Sequence, residues 1–251
     1  MPFFQGVPDT GKIFGEDKHI LSYGGGVNTT ALMILLIKKQ MPLDEAVFAD
    51  TGAELPETYK NVRLAKRYLG SRGIPLTVVN SKNGTLFETC KKRQVIPSQI
   101  WRWSTRDYKI TPIRAYYRSL GSHIHEYLGI AYDEVDRMKL SVDPKVTSDF
   151  PLVDEKMTRD DCVRLIENAG FPVPIKSGCY FCPFNTVDRW HYVWQNHRDL
   201  YNRAVRLEET SKHFPKQRLQ RLTLRALRED FRGGESQNGP SENPCGAYCM
   251  T

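Results

Sequence analysis

A short apolar stretch, His19-Ile20-Leu21-Ser22-Tyr23, runs into three consecutive glycines, Gly24-Gly25-Gly26, and from them into an apolar segment with helical character, Thr29 to Lys39. No other feature constrains the fold as much. A strand that passes through glycine directly into a buried helix is the opening of a β-α-β unit, and such units build parallel sheets. The rhythm continues. Ala46-Val47-Phe48-Ala49 predicts a second strand. Pro56 opens the next helix at a position where its missing N–H costs nothing, Glu57 suits that helix's first turn, and the helix runs to about Leu69. Pro75 to Val79 predicts a third strand and Tyr127 to Ala131 a fourth. Strands separated by helical crossovers specify an α/β fold, a Rossmann-like parallel twisted sheet with helices on both faces.

The glycine turn also carries a chemical expectation. Glycines between strand and helix allow an anion to approach the backbone, and the helix start offers free N–H groups and the positive end of its dipole. Asn28, Thr29 and Thr30 add polar side chains there. A plain tight turn would use the same glycines. The spacing is neither that of the Walker loop, since no Gly-Lys-Ser/Thr follows, nor the dinucleotide fingerprint.

Beyond about Asp149 the texture changes. Thr158 and Asp161 sit at capping-box spacing for a helix through Asn168. A cysteine loop, an aromatic helix and a basic helix follow, and the stretch from Gly233 to Pro244 reads as an irregular linker. The expected organisation is a nucleotide-binding domain over 1–150 and a mainly helical, metal-binding C-terminal region over 151–251. Hydrophobic residues at 40% and charged residues at 26% exclude disorder, collagen and coiled coil as descriptions of the 251-residue chain. The longest apolar run, Ala31 to Ile37, is too short to cross a bilayer. The segment MPFFQGVPDTGK lacks the basic start and apolar centre of a signal peptide, so the expected location is cytoplasmic.

Six cysteines in a reducing compartment suggest metal or chemistry and not disulfides. Cys179 and Cys182 form one close pair, Cys245 and Cys249 another, with 62 residues between them. Four thiolates are the ligand count of a structural zinc or a [4Fe–4S] cluster. A redox-inert pair is the alternative. Cys162 lies in a helical pattern and reads as core; Cys90, followed by Lys91-Lys92-Arg93, has the setting of a reactive thiol or of a bystander. The chain carries a formal charge of +7. Between Asn202 and Arg232 there are nine Lys/Arg and four Asp/Glu, so most of the excess lies here. Arg218, Arg221, Arg225, Arg228 and Arg232 step by three and four, which aligns them on one helical stripe suited to a nucleic-acid backbone. A solvated face is the bland alternative. Trp190, Tyr192, Trp194 and Tyr201 read as core first and as stacking surfaces second.

Five co-linear segments resemble the adenine-nucleotide α-hydrolase (PP-loop ATP pyrophosphatase) superfamily and its phosphoadenylylsulfate (PAPS) reductase-like branch. Ser22 to Thr30 resembles the Ser-Gly-Gly-x-Asp-Ser loop. Phe48 to Thr58 (FADTGAELPET) resembles the Asp-Thr-Gly segment, Ser104 to Lys109 (STRDYK) the Cys-Thr-Arg-x-x-Lys segment, and Gly129 to Arg137 (GIAYDEVDR) the Gly-Ile-Arg-x-x-Glu-Ser-x-Arg segment. Cys179 to Phe184 (CYFCPF) resembles Cys-x-x-Cys-Pro-Phe. The chain departs from the pattern at Gly24 for Ser, Asn28 for Asp, Thr29 for Ser and Ser104 for Cys.

The resemblance implies a HUP-type sheet and ATP with Mg²⁺. It places the nucleotide on Gly24, Gly25, Gly26, Asn28, Thr29, Thr30, Asp50 and Thr51. It implies catalytic roles for Arg106, Lys109 and Arg137 on phosphates or leaving pyrophosphate, and for Glu134 on Mg²⁺ or a substrate group. It also tilts the cysteine set toward [4Fe–4S] over Zn²⁺. The implied reaction is attack by a substrate oxygen on the α-phosphate of ATP, followed by displacement of AMP by sulfur. With the arginine stripe this becomes a sulfurtransferase acting on a nucleic acid, tRNA or DNA, by thiolation or phosphorothioation, served by a sulfur donor protein. A PAPS or adenylylsulfate reductase is the runner-up, although the Glu242-Asn243-Pro244-Cys245-Gly246 stretch lacks the reductase tail's adjacent Glu and His. A nucleotide-binding module that has lost catalysis through Asn28 and Ser104 is the third reading.

Overall fold

The computed structural model of the chain describes residues 15–98, 103–212 and 223–233. Five strands form one sheet: β1 (Gly15–Ser22), β2 (Glu45–Asp50), β3 (Leu76–Asn80), β4 (Ser122–Leu128) and β5 (Val146–Asp149). Their order is β3-β2-β1-β4-β5 and every neighbouring pair is parallel. The order reverses between β1 and β4. In open α/β sheets the crevice outside the carboxyl ends of the strands at such a reversal is where ligands bind, and the glycine turn leaves β1 there.

The helices cover both faces, as the strand–helix alternation requires. Leu21 points to one face, where it packs with α1 (Val27–Lys38), with Val62, Ala65 and Leu69 of α2 (Pro56–Gly70), and with Cys162 and Ile166 of α7 (Arg159–Asn168). Its neighbour Ile20 points to the other face, against Ile113 and Tyr117 of α5 (Thr111–Leu120). α1 is buried from Val27 to Leu36, because the sheet lies on one side and α7 on the other; a helix apolar all round has no other stable place. α7 starts on a capping box: Asp161 N–H donates to Thr158 Oγ1 at 3.3 Å and Thr158 N–H donates to Asp161 Oδ2 at 2.9 Å.

Two strand readings need correction. The fourth strand runs Ser122–Leu128, earlier than the Tyr127 to Ala131 expected, and Gly129 to Ala131 lie beyond it. Its polar residues His123, His125 and Glu126 disguised it. Glu126 is nevertheless buried, held by Arg114 at 2.9 Å and by the Tyr117 hydroxyl at 3.1 Å. β5, with the sequence VTSD, has too little apolar content to be read as a strand and is fixed by pairing with β4.

α3 (Leu86–Arg93) follows β3. A short turn α4 (Trp103–Thr105) then leads through a π-helical turn, Arg106–Ile110, into α5. A 3₁₀ segment, Tyr132–Arg137, follows β4, and α6 (Pro151–Asp154) follows β5. The C-terminal helices α8 (Val187–Asn196), α9 (Arg198–Thr210) and α10 (Leu224–Gly233) build a second core from Trp190, Tyr201, Leu227 and Phe231. That core also contains Leu86 and Cys90 of α3, Ala53 and Leu55 after β2, and Tyr180 and Phe181 of the cysteine loop. It therefore ties the C-terminal helices to the carboxyl edge of the sheet. Trp190 and Tyr201 are core residues, and the Tyr201 hydroxyl donates to the Leu224 carbonyl at 2.7 Å. Among the described residues no helix is long and apolar enough to cross a membrane.

Candidate active site

The loop Gly24–Gly26 is shaped from three sides. Gly25 has φ +72°, and a Cβ there would lie 2.9 Å from Thr58 Cγ2 of α2, so only glycine fits without strain. Asn61 Nδ2 donates to the Gly25 carbonyl at 3.2 Å. Gly129, just past β4, abuts the first turn of α1: a Cβ there would lie 3.0 Å from both Cα and N of Thr29. The hydroxyls of Thr29 and Thr30 are spent on shaping the loop. Thr29 Oγ1 accepts from Gly24 N–H at 3.3 Å, and Thr30 Oγ1 meets the Tyr23 hydroxyl at 3.0 Å. Burial pushes the Tyr23 phenol up to about 12, so it stays protonated. What α1 offers a ligand is its first-turn N–H groups. Gly26 caps the helix without a side chain, and the first turn carries no acid.

Asn28 connects this turn to the segment after β4. Its Nδ2 donates to Glu134 Oε2 at 2.7 Å, and Arg137 bridges to Glu134 Oε1 at 2.5 Å. Two residues expected to act on a ligand, Glu134 and Arg137, are thus brought together with a third, Asn28. Asn28 Oδ1 is buried with no hydrogen-bond partner, and an orphaned buried acceptor fits a cation such as Mg²⁺ or an O–H donor of a ligand.

The turn after β2 is built by its own side chains. Asp50 Oδ1 accepts from Gly52 N–H at 2.7 Å and from the Tyr59 hydroxyl at 2.8 Å. Thr51 is buried; its hydroxyl accepts from Ala53 N–H at 3.2 Å and donates to Glu54 Oε1 at 3.4 Å. Asp50 and Thr51, expected as nucleotide ligands, hold the turn's shape with these side-chain atoms. Glu54, 4% exposed, is the acid inside it, and Lys109 Nζ lies 3.6 Å away. Arg106 and Lys109 diverge in the π-helical turn: Arg106 is exposed against Asp107 at 2.7 Å, and Lys109 turns inward to Glu54. Ser104 lies half-buried in α4.

The cysteine loop is fastened to this same turn. A single antiparallel bridge pairs Cys179 with Glu54, and Tyr180 N–H donates to the Ala53 carbonyl at 3.0 Å. Two residues earlier, Ser177 Oγ lies 2.9 Å from where a Cβ of Gly26 would be, so its hydroxyl overhangs the glycine loop. Cys179 and Cys182 are half-buried and not disulfide-bonded, set in a turn closed by Cys182 N–H to the Cys179 carbonyl at 3.1 Å. Beneath them runs a polar layer. Arg189 donates to the Lys176 carbonyl, and burial lowers its pKa against the opposing influence of Tyr192 and the carboxylates of Glu57 and Glu54. Glu57 accepts from the Tyr192 hydroxyl and His197 Nε2, each at 2.7 Å. Burial works to raise the Glu57 pKa, but these hydrogen bonds outweigh it and hold the carboxyl below its ordinary value.

Ser177, Glu54, Asn61 and Arg189 were missed by sequence reading. Glu54 lies inside the FADTGAELPET segment and Ser177 two residues before Cys179, so position beside a motif was the available signal. Cys245, Cys249, Arg218 and Arg221 lie outside the described residues. Among the described residues no group of three or more His, Cys, Asp or Glu side chains converges as a metal centre. Cys179 and Cys182 amount to half of a four-thiolate set, and their partly exposed sulfurs fit a group whose other ligands come from elsewhere. Cys90 and Cys162 are both buried, and burial pushes each thiol up to about 12, so the reactive-thiol reading of Cys90 does not hold. Arg225, Arg228 and Arg232 lie away from the buried Leu224, Leu227 and Phe231 of α10, as the stripe requires, but each is paired with a carboxylate: Glu209 at 3.6 Å, and Glu229 at 3.4 and 3.2 Å.

Comparison with known proteins places this geometry. Residues 18–132 match the family model of the phosphoadenosine phosphosulfate reductase domain. An uncharacterized protein of Methanocaldococcus jannaschii is 30% identical over 97 residues, which are 39% of this chain and 19% of that protein; the chain thus spans about a fifth of the relative's length. Among solved structures, the U34-tRNA thiolase NcsA from Methanococcus maripaludis, determined with its [4Fe–4S] cluster, has the same fold. It aligns with a TM-score of 0.50 and 19% identity over 80% of this chain and 75% of its own. The phosphoadenylyl-sulfate reductase from Candida auris, in a phosphate complex, aligns with a TM-score of 0.47 and 17% identity over 64% of this chain and 76% of its own.

Proposed function

We propose that the chain is an ATP-dependent adenylating enzyme that prepares a nucleic acid, tRNA or DNA, for sulfur insertion. The observation that carries this reading is the attachment of the Cys179–Cys182 loop to the turn after β2, with Ser177 overhanging Gly26. A thiol pair at the lip of a phosphate loop suits chemistry in which a nucleotide and a sulfur atom meet. The fold shared with a tRNA thiolase that carries a [4Fe–4S] cluster agrees with it.

In this mechanism the ATP phosphates lie on the first-turn N–H groups of α1 and the backbone of Gly24, Gly25 and Gly26. Asn28 Oδ1 and Glu134 would hold the accompanying Mg²⁺, which when bound supplies charge neutralisation for the phosphates, or a substrate hydroxyl. The acceptor oxygen attacks the α-phosphorus; a new P–O bond forms, the bond to the β-phosphate oxygen breaks, and pyrophosphate leaves with the electron pair. Lys109 and Arg137 stabilise the charge that builds on the leaving group, and Arg106 stands at the outer rim. A hydrosulfide-level donor, delivered by a partner protein, then forms the new bond to sulfur as the bond to the AMP oxygen breaks. Cys179 and Cys182, with Cys245 and Cys249, would hold a [4Fe–4S] cluster or a zinc ion, which when bound supplies a Lewis-acidic centre for sulfur. The protein's own part is to keep the two thiols fixed above the loop through Arg189, Glu54 and Ala53.

The test is pyrophosphate release from ATP by anaerobically purified protein, with and without tRNA or DNA, alongside iron, zinc and sulfide analysis. Release stimulated by nucleic acid and lost in Lys109→Ala, together with metal lost in Cys179→Ser/Cys182→Ser, is expected. Absence of release under every condition would refute adenylation and favour a silent nucleotide-binding module. The family match of residues 18–132 favours a second reading, a sulfonucleotide reductase; sulfite formation from PAPS with thioredoxin, and none of the nucleic-acid stimulation, would select it.

A further inference from the structure

The surface formed by α3 and α9 carries a different set of cations from the arginine stripe. The two helices lie side by side and run the same way: Arg203 sits over the Phe87 ring at 4.3 Å, and Lys212 N–H donates to the Gln94 carbonyl at 2.8 Å. Lys91, Lys92 and Arg93 at the end of α3 are all exposed, and so are Arg206 and Lys212 on the α9 side. None of Lys91, Lys92, Arg93, Arg203 and Arg206 is in an ion pair with a described residue, whereas Arg225, Arg228 and Arg232 of α10 all are. Two of these guanidinium groups lie over aromatic rings: Arg203 over Phe87, with Tyr180 at 5.8 Å, and Arg93 over Trp103 at 4.8 Å. A helix C-terminus attracts one or two cations by itself. It does not account for the cations on the neighbouring helix or for the two guanidinium groups positioned over aromatic rings, a setting suited to nucleic-acid recognition. The acids of the two helices are Glu88, at the start of α3, Asp199, in the first turn of α9, Glu208, which accepts from Leu224 N–H, and Glu209, which faces Arg225.

This surface leads to the candidate active site. The first residue of α3 is hydrogen-bonded to the turn after β2, Leu86 N–H to the Thr51 carbonyl at 2.8 Å. Phe87 lies against Tyr180 and Phe181 between the two cysteines, with ring centroids 6.1 and 5.9 Å apart. The eight-residue helix spans about 12 Å at 1.5 Å per residue, so the cations stand about two nucleotides' reach from the thiol loop. We propose that the α3–α9 surface, through Lys91, Lys92, Arg93, Arg203 and Arg206, is where the backbone of the acceptor nucleic acid binds, and that the α10 arginines are not. The inference rests on the reading that the acceptor is a nucleic acid.

The experiment is fluorescence anisotropy with a 20-nucleotide single-stranded RNA, with bulk tRNA as competitor, on the full chain from 50 to 300 mM salt. It compares Lys91→Gln/Lys92→Gln/Arg93→Gln with Arg225→Gln/Arg228→Gln/Arg232→Gln. Taking one cation away from a phosphate lowers the salt slope by about 0.7 on a single strand, which is about fivefold in affinity at 0.1 M salt and about 100-fold for three. The α3 variant should lose affinity and slope to that extent, while its melting and its pyrophosphate release without nucleic acid stay as in the wild type. The α10 variant should bind as the wild type does. A wild-type protein that binds RNA together with an α3 variant that binds equally well overturns the inference and leaves the proposed function standing. A wild-type protein that binds no nucleic acid overturns both.

Discussion

Asn28→Asp would restore the carboxylate found at this position in the resembling family, and in this chain it should destabilise the site. The amide donates to Glu134 Oε2 at 2.7 Å, so the substitution removes a charge-assisted hydrogen bond and sets two carboxylates in its place. Loss of such a bond costs about 1.5–3 kcal/mol. Two unit charges at that separation repel by roughly 6 kcal/mol at an effective dielectric of 20, a figure that shrinks because Glu134 keeps Arg137 at 2.5 Å and is one-quarter exposed. The pair escapes most of the rest by sharing a proton. A net loss of about 3 kcal/mol remains at pH 8, which for a chain of this size is about 9 °C in melting temperature. The sign with pH follows. The shared proton gives the pair a raised pKa in the folded state, so the deficit is small at low pH and grows as pH rises through that value. The assay is calorimetric melting in EDTA at pH 5 and pH 8. Asn28→Asp should lie well below wild type at pH 8 and close to it at pH 5, and Glu134→Gln in the same chain should recover most of the loss by presenting an amide donor to the new carboxylate. A variant that melts with wild type at pH 8, or one that Glu134→Gln fails to rescue, would refute the pairing.

Gly25→Ala forces a Cβ against Thr58 Cγ2 at a φ of +72°; a loss of about 2 kcal/mol should appear as a lower melting temperature, and ATP binding by calorimetry should weaken at least tenfold because the loop shifts. Thr158→Ala removes the capping-box acceptor of α7 and should lower the melting temperature by about 3 °C. The Asp161 carboxyl is held down to about 2 by hydrogen bonds from Thr158 and Arg164; its contribution is present above its ordinary value and lost as pH falls from about 4 to about 2, so Asp161→Asn should flatten the acid limb of a pH melt in that window. Arg189→Met leaves the Lys176 carbonyl without its donor, and the rate at which a disulfide reagent titrates Cys179 and Cys182 should rise severalfold. Unchanged thiol kinetics would show that Arg189 does not restrain the loop.

The sheet was legible where strands are buried on both faces. Ala46 to Ala49 reads as strand because apolar side chains are required on either side of β2, and α1 reads as a buried helix for the same reason. β4 and β5 were misplaced or missed because their polar residues are satisfied by partners distant in sequence, such as Arg114 and Tyr117 for Glu126. In the candidate site, Gly25 was legible because a tight strand-to-helix turn restricts the residue types, and the segment Phe48 to Thr58 was legible through its resemblance to the family pattern. The partners of those segments were not. Nothing local joins Ser177 to Gly26, Cys179 to Glu54, or Asn28 to Glu134, residues more than a hundred positions apart in each case.

By itself the sequence determined a parallel α/β sheet, a glycine loop at the start of a helix, and a cysteine pair among aromatics, since each follows from periodicity or backbone sterics over a few residues. Only the tertiary structure decided that the cysteine loop is fastened to the turn after β2 with Ser177 over the glycine loop, that Asp50 and Thr51 build that turn, and that the cations of α3 and α9 stand outside ion pairs while those of α10 face carboxylates. Charge and hydrogen-bond pairing depend on distances through space, and a chain folded into two cores sets those distances by packing and not by order along the sequence.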